Sequence, residues 1–219
     1  MKQFMKTIRI VTVLLCCCFT SQVKAQDLKE FFNSSETQLV YMGVDFGLAK
    51  LINDPEANTF DIKSRYFHSI NQLIIEEMAR NYNISSAFQK SNVSTDLSAI
   101  ENRNDKVNAN DIASNNYSDF NRLSENDISA EVKKLGNIKG AGTGLVFIME
   151  GMKKEGKKSY GSVWVTLVDL RTKKILLTER MEDDATGIGF RNYWASVIKK
   201  IIMTINKKKY KEWKSRFGV

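Results

Sequence analysis

The segment Thr186-Gly187-Ile188-Gly189-Phe190-Arg191-Asn192-Tyr193-Trp194 holds the residue types best suited to grip a small ligand. Gly187 and Gly189 let backbone amides come close to a bound group, and Arg191 adds a planar fork of donors that matches carboxylate or phosphate. A helix starting here favours an anion, while Tyr193 and Trp194 offer rings for stacking or for a sugar face. The same letters also fit a tight turn leading into a helix, with Trp194 filling the core. A second cluster, Lys207-Lys208-Lys209-Tyr210 through Trp213 to Phe217, mixes cations with aromatic rings. That pattern suits anionic lipid head groups or an acidic protein partner. Tyr210, Trp213 and Phe217 also keep helical spacing, so they can pack on the domain while the lysines stay in water.

Other motifs spell catalytic signatures only in part. Gly151 to Lys157 has the spacing of a phosphate-binding loop, but Lys158 stands where a magnesium-holding Ser or Thr is needed and a strand follows. Asp45-Phe46-Gly47 repeats the letters of a kinase magnesium triplet without a His-Arg-Asp loop anywhere. Ser196-Val-Ile-Lys199 matches the Ser-x-x-Lys of acyl-serine enzymes without their other elements, and reads as the wet flank of a helix. Glu76-Glu77 and Asp183-Asp184 are carboxylate pairs, yet sequence neighbours diverge and glycosidases place their acids on separate elements. His68 is the single histidine and sits on the shoulder of an apolar helix face. No catalytic residue, metal ligand set or cofactor is therefore assigned.

Cys16-Cys17-Cys18 are the three cysteines, and all lie in a segment that reads as a secretory signal peptide. Lys2, Lys6 and Arg9 form its basic start, Ile10 to Phe19 its apolar stretch, and Val23-Lys24-Ala25 its cleavage site before Gln26. Leu15 before Cys16 departs from a lipidation signal, so lipidation is the less favoured alternative. Cleavage leaves 194 residues without cysteine, so disulfides and thiolate chemistry drop out. The leader's four basic residues account for half of the net charge of +8, leaving +4. So small an excess on an exported chain gives no reason to expect nucleic acid. No later apolar run reaches the roughly 20 residues of a membrane-spanning helix. The short leader and the Lys/Asn-rich composition read as bacterial.

Positioning falls to a modest set of elements. Residues 38–46 read as a strand closed by Gly47, and 64–82 as a helix with Phe67, Ile70, Ile74 and Met78 on one face. Residues 83–127 are crowded with Asn, Ser and Asp, too polar for a strand-rich core, and read as a partly irregular insertion. Ser124 and Asp127 predict a capped helix over 125–135. Strands over 144–150, 162–169 and 174–181 are joined by links short enough for hairpins. A closing helix from Phe190 carries Trp194, Val197, Ile198, Ile201, Ile202 and Ile205 at 3-4 spacing. The expectation is an α+β fold: a single-layer mixed sheet with a carboxy-terminal antiparallel three-stranded meander, covered by two long helices. Residues 1–25 form the leader and 26–219 one domain.

Gly142-Thr-Gly-Leu-Val-Phe-Ile-Met-Glu150, then Val163 to Asp169 and Thr172 to Leu177, resembles a pattern in bacterial envelope domains. These are the amino-terminal domain of the Tol-system translocation protein, the curli-export lipoprotein and the outer-membrane activators of penicillin-binding proteins. The resemblance covers residues 142–205, with Lys173 where the family's turn carries glycine. The chain is also similar to uncharacterised exported bacterial proteins with a Gly-Val-Asp-Phe strand and a Gly-Phe-Arg-Asn-Tyr-Trp helix start. The resemblance implies a periplasmic or envelope-associated, non-enzymatic interaction module. The alternative is a glycan- or cell-wall-directed hydrolase working through carboxylates or the glycine-flanked helix start.

Overall fold

In a computed structural model, residues 27–136, 138 and 140–218 are described. The predicted leader and its cleavage site lie outside these residues. The chain begins with a short helix, α1 (Leu28–Asn33), capped by Asp27, and then enters β1 (Leu39–Asp45). All seven residues of β1 are buried. Leu39 and Tyr41 join one apolar cluster, and Val40 and Met42 another, so the strand is covered on both faces. A bulge at Gly43, whose φ is +107°, resets this alternation and returns Val44 to the first cluster.

The sheet grows around β1 and β5 (Thr143–Glu155). Parallel pairings join β1 to β3 (Val93–Thr95) and to β5. They also join β2 (Lys50–Ile52) to β5 and to β4 (Ala113–Ser114). β6 (Lys158–Asp169) and β7 (Ile175–Asp184) add to the far side of β5 in antiparallel order. Helices occupy both faces. One apolar cluster receives α1, α2 (Phe67–Glu76), α3 (Ile84–Phe88), α6 (Phe190–Thr204) and α7 (Tyr210–Phe217). The other receives Ile100 of α4 (Ser98–Asn104) and Ile128 and Val132 of α5 (Glu125–Lys134).

The expected α+β class is thereby corrected. The core of the sheet is parallel and has α/β character, and its covering is not two long helices on one face. The physical reason is visible in β1 and β5: a near-continuous apolar run demands cover on both sides, as parallel strands have. The strands that complete the parallel half are two or three residues long, and two of them, β3 and β4, sit in the polar stretch, where apolar alternation is invisible. That stretch is built from short capped pieces. Asn83, Asn108 and Asn116 each accept a backbone N–H at the start of a helical turn.

The helices also depart from regularity. α2 is entered through a π-helical stretch (Ile62–Tyr66), and ends at Glu76, short of the predicted Tyr82. Phe67, Ile70 and Ile74 are buried, and Met78 is half-buried in the turns beyond. A second π-helical stretch (Ile205–Lys209) joins α6 to α7. Lys173 has a φ of +56°, the left-handed backbone that glycine adopts freely, while Asp169 accepts from the Thr172 N–H (2.7 Å) and hydroxyl (2.8 Å). The turn keeps the glycine geometry with a lysine in it. No helix among the described residues is long and apolar enough to cross a membrane.

Candidate functional site

β7 ends at Asp184, and the chain reaches α6 through Ala185 and the turn Thr186–Gly189. Gly187 (φ +118°) and Gly189 (φ +79°) hold backbone conformations that a side chain would strain. The turn is tied to its own helix: the Thr186 N–H donates to Ser196 Oγ (2.8 Å), and that hydroxyl donates to the Tyr193 carbonyl (2.7 Å). Ile188 between the two glycines is 91% exposed. α6 buries Trp194, Val197, Ile198, Ile201 and Ile202, and lies so close to the sheet that a Cβ on Gly161 would meet Val197 at 2.7 Å. This stripe orients the opposite flank of the helix outward.

That flank forms a groove of about 540 Å³ with the end of α2 and the turn after it. Arg191, Ser196 and Lys199 line one wall, Glu77 and Tyr82 the other. Lys199 donates to Asn81 Oδ1 (2.8 Å), whose amide in turn donates to Glu77 (2.7 Å). Arg191 donates to Asn192 Oδ1 (3.1 Å). Among the described residues neither cation has a carboxylate within ion-pair distance, whereas Lys200 is held by Asp184 at 2.7 Å. Burial, and then the negative charge of Glu77, push the Tyr82 hydroxyl up to about 12, with Arg191 opposing. The groove therefore offers two unneutralised cations, a phenol that keeps its proton and one carboxylate. These can bind an anion that also carries a hydroxyl or amine. Ser196 is occupied on both sides by backbone groups and is not poised as a nucleophile.

The predicted site residues separate into two places and a core. Gly187, Gly189 and Arg191 belong to this turn and groove, and Tyr193 is half-buried, edge-on to Trp194 at 5.4 Å. Trp194 is 1% exposed and fills the core, so it presents no stacking surface. Lys207, Lys208 and Lys209 lie some 16 to 18 residues beyond Arg191, roughly 24 to 27 Å at helical rise. Lys207 and Lys208 are exposed. Lys209 bridges Glu179 (2.6 Å) and Glu212 (3.1 Å), and its charge is held up chiefly by the Glu179 hydrogen bond. Trp213 is buried, its Nε1 donating to Glu179 (2.6 Å). Of the carboxylate pairs, Glu76 is exposed, Glu77 lines the groove and Asp184 is engaged by Lys200.

Two buried carboxylate centres went unread in the sequence. Glu150 is the fully buried extra residue of a bulge in β5, and accepts from Trp164 Nε1 (2.9 Å), Arg180 Nε (3.0 Å) and the Leu123 N–H. Asp45 accepts from the Gly47 N–H (2.7 Å) and Arg103 Nε (2.9 Å), and Arg103 also pairs with Glu131. Burial pushes the Asp45 carboxyl up, against the pull of Arg103. Beside it, Asn71 and Asn104 bond the backbone of Val44 and Phe46, replacing the strand neighbour that β1 lacks beyond Tyr41. An acid inside an apolar strand run is the signal that marks both centres. Both carboxylates are buried and held by their own partners, while Arg180 and Trp164 of the Glu150 centre also line a surface cavity of about 480 Å³.

No protein-family model matches the chain, and comparison with curated proteins finds no match. Similar solved structures are distant bacterial proteins. The PelC dodecamer from Paraburkholderia phytofirmans shares 10% identity over 82% of this chain and 92% of its own, at a TM-score of 0.34. The hypothetical protein CT253 from Chlamydia trachomatis shares 8% over 82% and 99%, also at 0.34. Lipoprotein GNA1162 from Neisseria meningitidis shares 16% over 76% and 99%, at 0.30. Likenesses of this depth carry neither fold nor function to this chain.

Proposed function

We propose that the protein is an exported, non-enzymatic binding module of the bacterial envelope, with residues 26–219 as its mature domain. Its ligand is an anionic group of an envelope component, taken up in the groove between α6 and the end of α2. The observation that carries this reading is the pair Arg191 and Lys199: two cations share one groove without a carboxylate partner, beside a protonated Tyr82. Cations held only by neutral amides on a concave surface keep their charge for an anion, whereas Lys200 is already neutralised by Asp184. The resemblance of residues 142–205 to the Tol, curli-export and penicillin-binding-protein activator domains supports an envelope role.

A photocrosslinking residue at Asn192, on the groove rim, tests the reading in cells. It should trap a defined envelope component, and Arg191→Glu with Lys199→Glu should abolish the adduct. The same adduct in equal yield from exposed Asn110, outside the groove, would refute it.

A further inference from the structure

The outer face of the last helix carries charge that the groove reading leaves unused. Lys207, Lys208, Lys211, Lys214 and Arg216 are all exposed, and Glu212 is the one acid among them. Glu212 is already shared between Lys208 (3.5 Å) and Lys209 (3.1 Å). The positive field reaches inward as well: Lys90, under this helix, is pushed down to about 8, by burial first and then by Lys214. Beneath the cations the helix is anchored by Tyr210 and Trp213, so the basic face is held rigidly outward. Between the side chains lies a surface hollow of about 560 Å³ lined by Lys207, Lys208, Lys211, Ser215 and Arg216, with Glu212 as the one carboxylate in it. A hollow of that size can take a phosphate with its ester substituents, and Ser215 supplies a hydroxyl donor.

The fold also holds this face in place. α1, the first described element, packs on α7: the Phe32 ring stacks on Phe217 at 6.4 Å, and Asn33 Nδ2 donates to the Gly218 carbonyl at 2.6 Å. This contact fixes the end of the basic helix, so its cations form one rigid surface. From these we infer that Lys207, Lys208, Lys211, Lys214 and Arg216 form a docking surface for an anionic phospholipid bilayer. Lys209 and Trp213 are excluded from it, because both are committed to Glu179. The attraction is electrostatic. Among the described residues no large apolar side chain of this helix is among the exposed ones, so nothing there inserts into the acyl region.

The test is co-sedimentation of the purified mature chain, residues 26–219, with vesicles of equal parts phosphatidylglycerol and phosphatidylcholine. Binding should fall steeply with added salt and be far weaker on pure phosphatidylcholine. Each cation near an anionic surface adds about fivefold to partition, so Lys207→Gln/Lys208→Gln/Lys211→Gln should weaken binding on the order of a hundredfold. The three sites are exposed, so the triple variant should keep the parent's melting temperature, while Lys209→Gln should lower it. Arg191→Glu should leave vesicle binding unchanged, which separates this proposal from the groove reading. Inorganic phosphate should compete weakly. Capture of soluble poly-glutamate in preference to the vesicles would overturn the lipid assignment in favour of an acidic protein. Unchanged binding by the triple variant, or binding indifferent to salt, would overturn the docking surface altogether.

Discussion

Replacing Glu150 by glutamine changes one oxygen to an amide and should be among the most damaging substitutions in the chain. The carboxylate is fully buried: the Leu123 N–H donates to one oxygen, and Trp164 Nε1, Arg180 Nε and the Ser162 hydroxyl (3.4 Å) to the other. Glutamine has one oxygen, so whichever way it turns, its NH₂ faces an N–H. The Arg180 guanidinium, 28% exposed, also loses its counter-charge. Breaking a buried ion pair from one side costs about 3–5 kcal/mol, a large share of the roughly 5–15 kcal/mol that holds a domain folded. Arg180→Met in the same background removes the stranded cation, so the double variant should be more stable than the sum of the two single losses predicts. A coupling of about 1–3 kcal/mol is expected. Urea unfolding of the parent, both single variants and the double variant, at equal m-values, measures it. A Glu150→Gln loss under about 1 kcal/mol, or strict additivity, would refute the reasoning.

Lys90 is pushed down to about 8 from its ordinary 10.5, so between those pH values the unfolded chain binds more protons and this residue makes stability rise with pH. Lys90→Met should abolish this rise, and parallel pH–stability curves for the two proteins would contradict the assignment. Lys209→Glu sets a third carboxylate beside Glu179 and Glu212 and should cost at least about 1 kcal/mol, whereas the same change at exposed Lys207 should fall within about 0.5 kcal/mol of the parent in thermal unfolding.

The terminal lysines show how far residue type alone reaches. In the sequence Lys207, Lys208 and Lys209 are three equivalent cations on a helix. The fold divides them, because Glu179 comes from a strand about 30 residues earlier and meets only the third. Trp194 and Trp213 were ambiguous between core and ligand surface. The stripe of Ile198, Ile201 and Ile202 decides for the core, since the helix must bury that face against the sheet. Lys199, read as a wet helix flank, gains its interest only because Glu77, Asn81 and Tyr82 arrive opposite it from α2 and the turn that follows.

Local and periodic features were legible because their causes are local. The capping box of Ser124 and Asp127 forms as the letters predict, and the apolar faces of α2 and α6 follow from side-chain period. The turn conformation at Gly187 and Gly189 is likewise a property of those two residues. The parallel core was not legible, because β3 and β4 are strands of two or three residues whose identity comes from hydrogen bonds to β1 and β2 rather than from their own composition. Nor were Glu150 and Asp45, whose burial is tolerable only with Arg180 and Arg103 supplied from distant elements. Sequence by itself determined the local periods, caps and turns of this protein. Tertiary structure decided which charges are neutralised and which stay free, because an ion pair depends on distances that chain order does not set.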